Sequence, residues 1–278
     1  MGAAQSMTPA EGQDADTAVP PPVIEMSLSI QFATLPALRT PHIGLLWAGM
    51  RDRYWRTEEA PPLPATFEMF GGPTGMMVPP MHFPFHAPIL RIVFEGVEGD
   101  ILLHVQQDRL MLNWRRYPPN GSYPGYAVMR NRFASEIGVV EEFLAAEGLG
   151  TIRPNQCEIT YVNALLLRGD AEVHQHLDSV TPGWRPVEIG LPFEAATLEN
   201  RYVISTGGEQ TGRLYTSFSP AVLTATGEAN YQLEIVARCR PQGETVASAL
   251  ATLDSAHDLV GRAFNGVTSS VVRAPGGD

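Results

Sequence analysis

The chain contains no lysine: all 19 of its basic residues are arginine. Without a lysine amine there is no internal Schiff base to pyridoxal phosphate or to a carbonyl substrate. The phosphate-binding lysine of P-loop and kinase enzymes and the Ser-x-x-Lys dyad are excluded with it. Cysteine is almost as scarce, with Cys157 and Cys239 alone. Two thiols in 278 residues cannot build a disulfide scaffold or a clustered zinc site. Both lie in apolar, strand-like runs, where a reduced buried thiol behaves as a small hydrophobe.

Other absences narrow the reading further. No apolar run reaches the ~20 residues that cross a bilayer, and residues 1–22 lack the hydrophobic stretch of a secretory signal. A cytoplasmic protein without membrane contact is therefore expected. There is no Gly-x-Ser-x-Gly elbow, no Gly-x-Gly-x-x-Gly turn and no His-Glu-x-x-His helix, so no cofactor and no metal is expected. The formal charge of −11 opposes the basic face that neutralises phosphates, which argues against a nucleic-acid partner.

What is present suits an ordinary globular core: 44% hydrophobic and 18% charged residues. Residues 1–22, rich in Ala, Asp, Gln and Pro, read as a disordered tail, and 269–278 as a frayed end. Between them, 23–268 read as one domain. Ile24, Met26, Leu28 and Ile30 alternate with Glu25, Ser27, Ser29 and Gln31, the period of a half-buried strand. Thr40-Pro41 opens an amphipathic helix carrying Ile43, Leu46, Trp47, Met50 and Tyr54. Strands are expected at 89–94, 101–105, 110–114 and 157–167, then at 202–205, 213–218, 222–225 and 231–237. Tyr126, Met129, Phe133, Ile137, Val140 and Leu144 mark a second helix ending at Gly148, and 245–264 a third. Consecutive strands without intervening helices argue for antiparallel pairing. The expected fold is α+β, a largely antiparallel sheet carrying three amphipathic helices. Strands followed by a long helix occur twice, at 101–147 and 201–264, a hint of weak internal pseudo-symmetry.

Residues 57–88 hold eight prolines, three glycines and an apolar set that includes Met69, Met76, Met77, Met81, Phe83 and Phe85. Proline removes backbone donors, so a long loop is expected there. Adaptable thioethers suit either a protein partner or the loop's own core.

Asn113-Trp114-Arg115, Tyr123-Pro124, Phe133, Gly148-Leu149-Gly150 and the string Gln156-Cys157-Glu158-Ile159-Thr160-Tyr161-Val162-Asn163 follow in order. With Leu253-Asp254-Ser255-Ala256-His257-Asp258, Phe264 and Thr268-Ser269, they resemble a sporadically distributed bacterial family of uncharacterised proteins. The resemblance spans roughly residues 23–270 and implies no activity, cofactor or catalytic residue.

The candidate ligand- or partner-binding residues are Asn113, Arg115, Tyr123, Gln156, Glu158, Tyr161 and Asn163. Alternation places Gln156, Glu158 and Thr160 on one face of their strand, opposite Cys157, Ile159 and Tyr161. Asn113 and Arg115 are the expected partners of that polar row. Glu158 is a candidate general base or ligand anchor. His257 interrupts the apolar stripe of the last helix, with Asp254 three residues before it. His174, His176 and Asp178, or His82 and His86, could hold a metal only if a third ligand converged.

Two functions fit. One is a non-enzymatic binding or accessory protein of a bacterial gene cluster, engaging a protein partner through a sheet face and the 57–88 loop. The other is an enzyme or sensor with a small-molecule pocket around Arg115, Glu158 and His257. The oligomeric state is open.

Overall fold

The structure, a computed structural model, describes residues 22–70, 90–117, 121–167, 173–223, 227–270 and 272–273. The expected N-terminal tail, the His82/His86 pair and the 71–88 part of the loop lie outside the described residues.

Alternation gathers the apolar residues of the strands on one face of a single sheet. In β1 (Val23–Phe32), Met26, Leu28 and Ile30 are fully buried. β1 pairs on one side with β5 (Arg109–Arg115) and on the other with β6 (Pro154–Leu167). β2 (Tyr54–Ala60), β3 (Arg91–Gly96) and β4 (Ile101–Gln106) extend the sheet beyond β5. β9 (Ala229–Cys239), β8 (Glu209–Val222) and β7 (Leu198–Thr206) extend it beyond β6. The order β2-β3-β4-β5-β1-β6-β9-β8-β7 is antiparallel throughout; a two-residue β10 (Val272–Arg273) adds to the far end of β6.

Four helices accompany the sheet rather than the three expected. α1 (Thr40–Ala48) and the short α3 (Leu177–Val180) lie in the connections, and α2 (Tyr126–Ala146) and α4 (Val246–Val267) are long. α2 packs on β5 and β1, and α4 packs on β6 and β9, all on the apolar face. Met129, Phe133, Ile137, Val140 and Leu144 form the buried stripe of α2, as their spacing requires. Each fully buried side chain of this size contributes about 1.5–3 kcal/mol. No helix among the described residues is long and apolar enough to cross a membrane.

The hint of internal symmetry has a topological basis. Each half opens with one strand, passes through a helical connection, runs a meander and closes with a long helix. The two opening strands, β1 and β6, pair at the centre, and each meander's last strand flanks its own opening strand.

Three expectations shift. The first helix stops at Ala48, because Gly49 closes its last turn, and Tyr54 begins β2 instead of ending the helix. β2 itself occupies 54–60, ahead of the first proline of the loop, and Ala60 pairs directly with Arg91. Residues 61–90 are thus an insertion in a hairpin. The strand expected at 222–225 is the end of β8, which runs unbroken through Pro220 to Val222.

Close approach fixes one glycine. A Cβ on Gly212 would stand 2.4 Å from the Arg238 carbonyl oxygen and 2.9 Å from Cys239 Sγ. Gly212→Ala is expected to force β8 off β9 and cost about 1–3 kcal/mol. Urea unfolding reads this directly, and an unchanged midpoint would refute it.

Candidate functional site on the polar face

The sheet divides the sequence-selected residues between its two faces. Asn113, Arg115, Gln156 and Glu158 stand on the face without helices. Tyr123, Tyr161, Asn163 and His257 belong to the helix-covered side. No single pocket joins Arg115, Glu158 and His257, because the sheet separates the last from the first two.

On the helix side, the Tyr161 hydroxyl lies 3.0 Å from the Tyr123 hydroxyl and 3.0 Å from His257 Nδ1. Tyr126 stacks on His257 at 3.9 Å and donates to Asp254 Oδ1 at 2.7 Å. Arg130 holds both oxygens of Asp254 at 3.1 and 3.0 Å. Burial lowers the His257 pKa against the opposing pull of Asp258 and Asp254. Burial also raises the Tyr161 phenol. The network ties α2 to α4 and to β6. Asn163 is buried and donates to the Leu233 carbonyl. The two thiols face each other across β6 and β9; burial pushes Cys157 up to about 12 and Cys239 up to about 11.

On the open face, register sets the neighbours. Glu158 faces Ser29 on β1 and Arg238 on β9, and Arg238 Nε binds it at 2.6 Å. Arg115 faces Glu25, donates to the Gly99 carbonyl at 3.0 Å and lies 3.6 Å from Glu95. Two strand spacings and four residues separate Arg115 from Glu158, roughly 16 Å by strand geometry. Their expected pairing is corrected: Arg238 is the partner of Glu158. Asn113 donates to Glu25 at 2.9 Å, and Gln156 is buried beside Gln31.

A segment of the chain's own loop crosses this face. Leu63 binds the Gln106 side chain of β4 through both its N–H and its carbonyl, at 2.8 and 2.9 Å. Arg109 of β5 donates to the Pro64 carbonyl at 3.0 Å, and Thr66 N–H donates to Gln31 of β1 at 2.9 Å. Glu68 then reaches side chains of β9 and β8. Its carboxylate accepts from Arg238 at 3.0 Å, from the Tyr215 hydroxyl at 2.8 and 2.9 Å, and from Arg213. Arg213 also stacks over Phe70, 4.5 Å from the ring centroid. Its partners extend from β4 to β8, five strand spacings or about 24 Å at ~4.8 Å each, which an extended backbone over residues 63–69 nearly covers and the Gln106 and Glu68 side chains complete.

Burial alone would raise the Glu68 pKa, but the hydrogen bonds from Arg213, Tyr215 and Arg238 outweigh it and hold the carboxyl below its usual range. Near the strap, burial and the Arg91 charge push His104 down to about 4. Arg109 Nε, Asn113 Oδ1, Gln156 Nε2 and His104 Nε2 are buried on this face without a hydrogen-bond partner among the described residues.

No known protein-family model matches the chain, and no curated protein sequence matches it either.

Among the described residues no group of three or more possible metal ligands converges. His174 Nε2 is occupied by the carbonyls of Ala221 and Asn230, at 3.0 and 2.9 Å. Sequence reasoning missed Glu68, Arg213, Tyr215, Arg238, Gln31, Gln106 and Arg109. One signal was available: Glu68 is the only acidic or basic residue, histidine aside, between 61 and 90.

Proposed function

We propose that the protein is a non-enzymatic binding or accessory protein that holds an extended segment of a protein partner across the polar face of its sheet. In the arrangement described, residues 61–70 occupy that place in cis. The observation that carries this reading is the way the strap is held. Side chains of five strands bind its backbone and its single carboxylate; main-chain hydrogen bonds of this kind supply affinity and the charged contacts supply selectivity. Neither a nucleic acid nor a membrane enters the reading, in keeping with the net charge of −11. We read it as a cytoplasmic accessory protein of a bacterial gene cluster, a reading that the resemblance to a sporadically distributed bacterial family supports.

Because Ala60 and Arg91 pair directly, residues 61–90 can be replaced by an Asn-Gly turn. A capped synthetic peptide of residues 61–70 is expected to bind this shortened protein in trans, measured by fluorescence anisotropy. The same peptide with Glu68→Ala should bind about tenfold more weakly or worse, the loss of a charge-assisted hydrogen-bond set. A folded shortened protein that ignores both peptides would overturn the reading.

A further inference from the structure

Among the described residues the nine-strand sheet ends at β7, and no strand pairs with its outer edge along Leu198–Thr206. Most of its residues are exposed, and Tyr202 and Val203 stand about half in water. No proline interrupts it. The opposite edge, β2, is shorter and runs into Pro61-Pro62. An unguarded strand edge is a template for another strand.

We infer that β7 pairs with β7 of a second copy of this chain, antiparallel, about a two-fold axis at Asn200. The argument rests on which registers the side chains allow. Two edges related by a two-fold axis normal to the sheet keep their faces aligned, so residues of equal parity meet. An axis at Glu199 or at Arg201 would set like charges opposite each other, which is destabilising. An axis at Asn200 sets Glu199 against the partner's Arg201, twice over. Neither residue forms an ion pair within the chain among the described residues. The same axis brings Leu198 opposite the partner's Tyr202, and Ala196 opposite the partner's Ile204, all on the helix-covered side.

A second observation agrees with this register. A cleft of about 870 Å³ opens between β7, β8 and the outer flank of α4, with Tyr202, Ile204, Leu214, Leu259, Ala263 and Val267 among its walls. It lies at the C-terminal end of β7. Antiparallel pairing carries the N-terminal end of the partner's β7 to that place. The stretch leading into β7 holds the most exposed large apolar side chains of the described chain: Val187 at 81%, Leu191 at 72% and Ile189 at 71%. In this register residues 194–198 of one copy come opposite 202–206 of the other beside the cleft, with the unburied apolar stretch 187–191 next along the chain. The pairing continues the sheet in the way β1 and β6 already join the two halves of one chain.

Sedimentation of the full chain over a concentration series tests the inference. The wild-type chain is expected to be a dimer. Glu199→Arg and Arg201→Glu, each placing like charges opposite each other twice, are expected to weaken dimerisation about tenfold or more. Circular dichroism establishes that each variant is folded. Mixing the two weakened variants restores complementary charges at both positions, so a heterodimer should form, and the double variant E199R/R201E should dimerise with itself. A monomeric wild type would overturn the inference, as would a dimer indifferent to either reversal, or two folded variants that fail to pair on mixing.

Discussion

Trp114→Ala is expected to lower the unfolding free energy by about 3–5 kcal/mol, the range for removing a large buried aromatic side chain. Trp114 is the largest of the fully buried side chains. It stands on β5 opposite Met26 and Ile101, and its ring lies 5.3 Å from that of Tyr123. Strands on both sides hydrogen-bond to β5, so the walls cannot collapse into the space without breaking ladder bonds. The loss therefore includes a cavity cost beyond the transfer term. Urea unfolding followed by circular dichroism measures it, and a loss under about 1 kcal/mol would mean the site relaxes freely.

Glu68→Ala is expected to cost about 2–3 kcal/mol and to free the strap from the sheet. The carboxylate is 6% exposed and satisfies two guanidinium groups and a phenol at once. Its removal leaves Arg213 and Arg238 facing one another across β8 and β9, with Glu158 alone to compensate Arg238. Both arginines keep about a fifth of their side chains in water, at 22% and 21%, which holds the loss below that of a fully enclosed pair. Hydrogen exchange at the amides of Leu63 and Thr66 separates strap release from general destabilisation. These two should lose protection while the amides of β1 and β6 keep theirs. The dependence on acidity follows from the lowered carboxyl of Glu68. Its stabilising contribution is fully present above the ordinary range for glutamate, about 4.3. It disappears as the pH falls through the lower, folded-state value. Strap amides that stay protected in the variant would refute this role for Glu68.

The elements with a strong period were legible in the sequence. The β1 alternation, the α2 stripe from Met129 to Leu144 and the division of β6 into two faces all reflect local geometry that side-chain order alone determines. Pairing is different in kind. Glu158 finds Arg238 from 80 positions away, and Asn113 finds Glu25 from 88, through register that no local pattern encodes. The strap was less accessible still. Its backbone is bound by Gln31, Gln106 and Arg109 rather than by a neighbouring strand, so it carries no strand-like alternation. Proline marked the segment correctly as irregular, and the same prolines drew the expected loop back over β2. His257 was visible as a polar break in an apolar helix face, but only the three-dimensional arrangement places it behind the sheet from Glu158.

The central pair β1 and β6 also has a bearing on how the chain is made. The first half, from Val23 to Ala146, can complete its own meander and lay α2 on it as it leaves the ribosome. One side of β1 nevertheless has no neighbour until residues 154–167 have been synthesised. For that interval the half-built protein carries a long unpaired strand edge, apolar on one face, in what will become its centre. This is the stage at which a nascent chain invites wrong pairing, and the late arrival of β6 closes it.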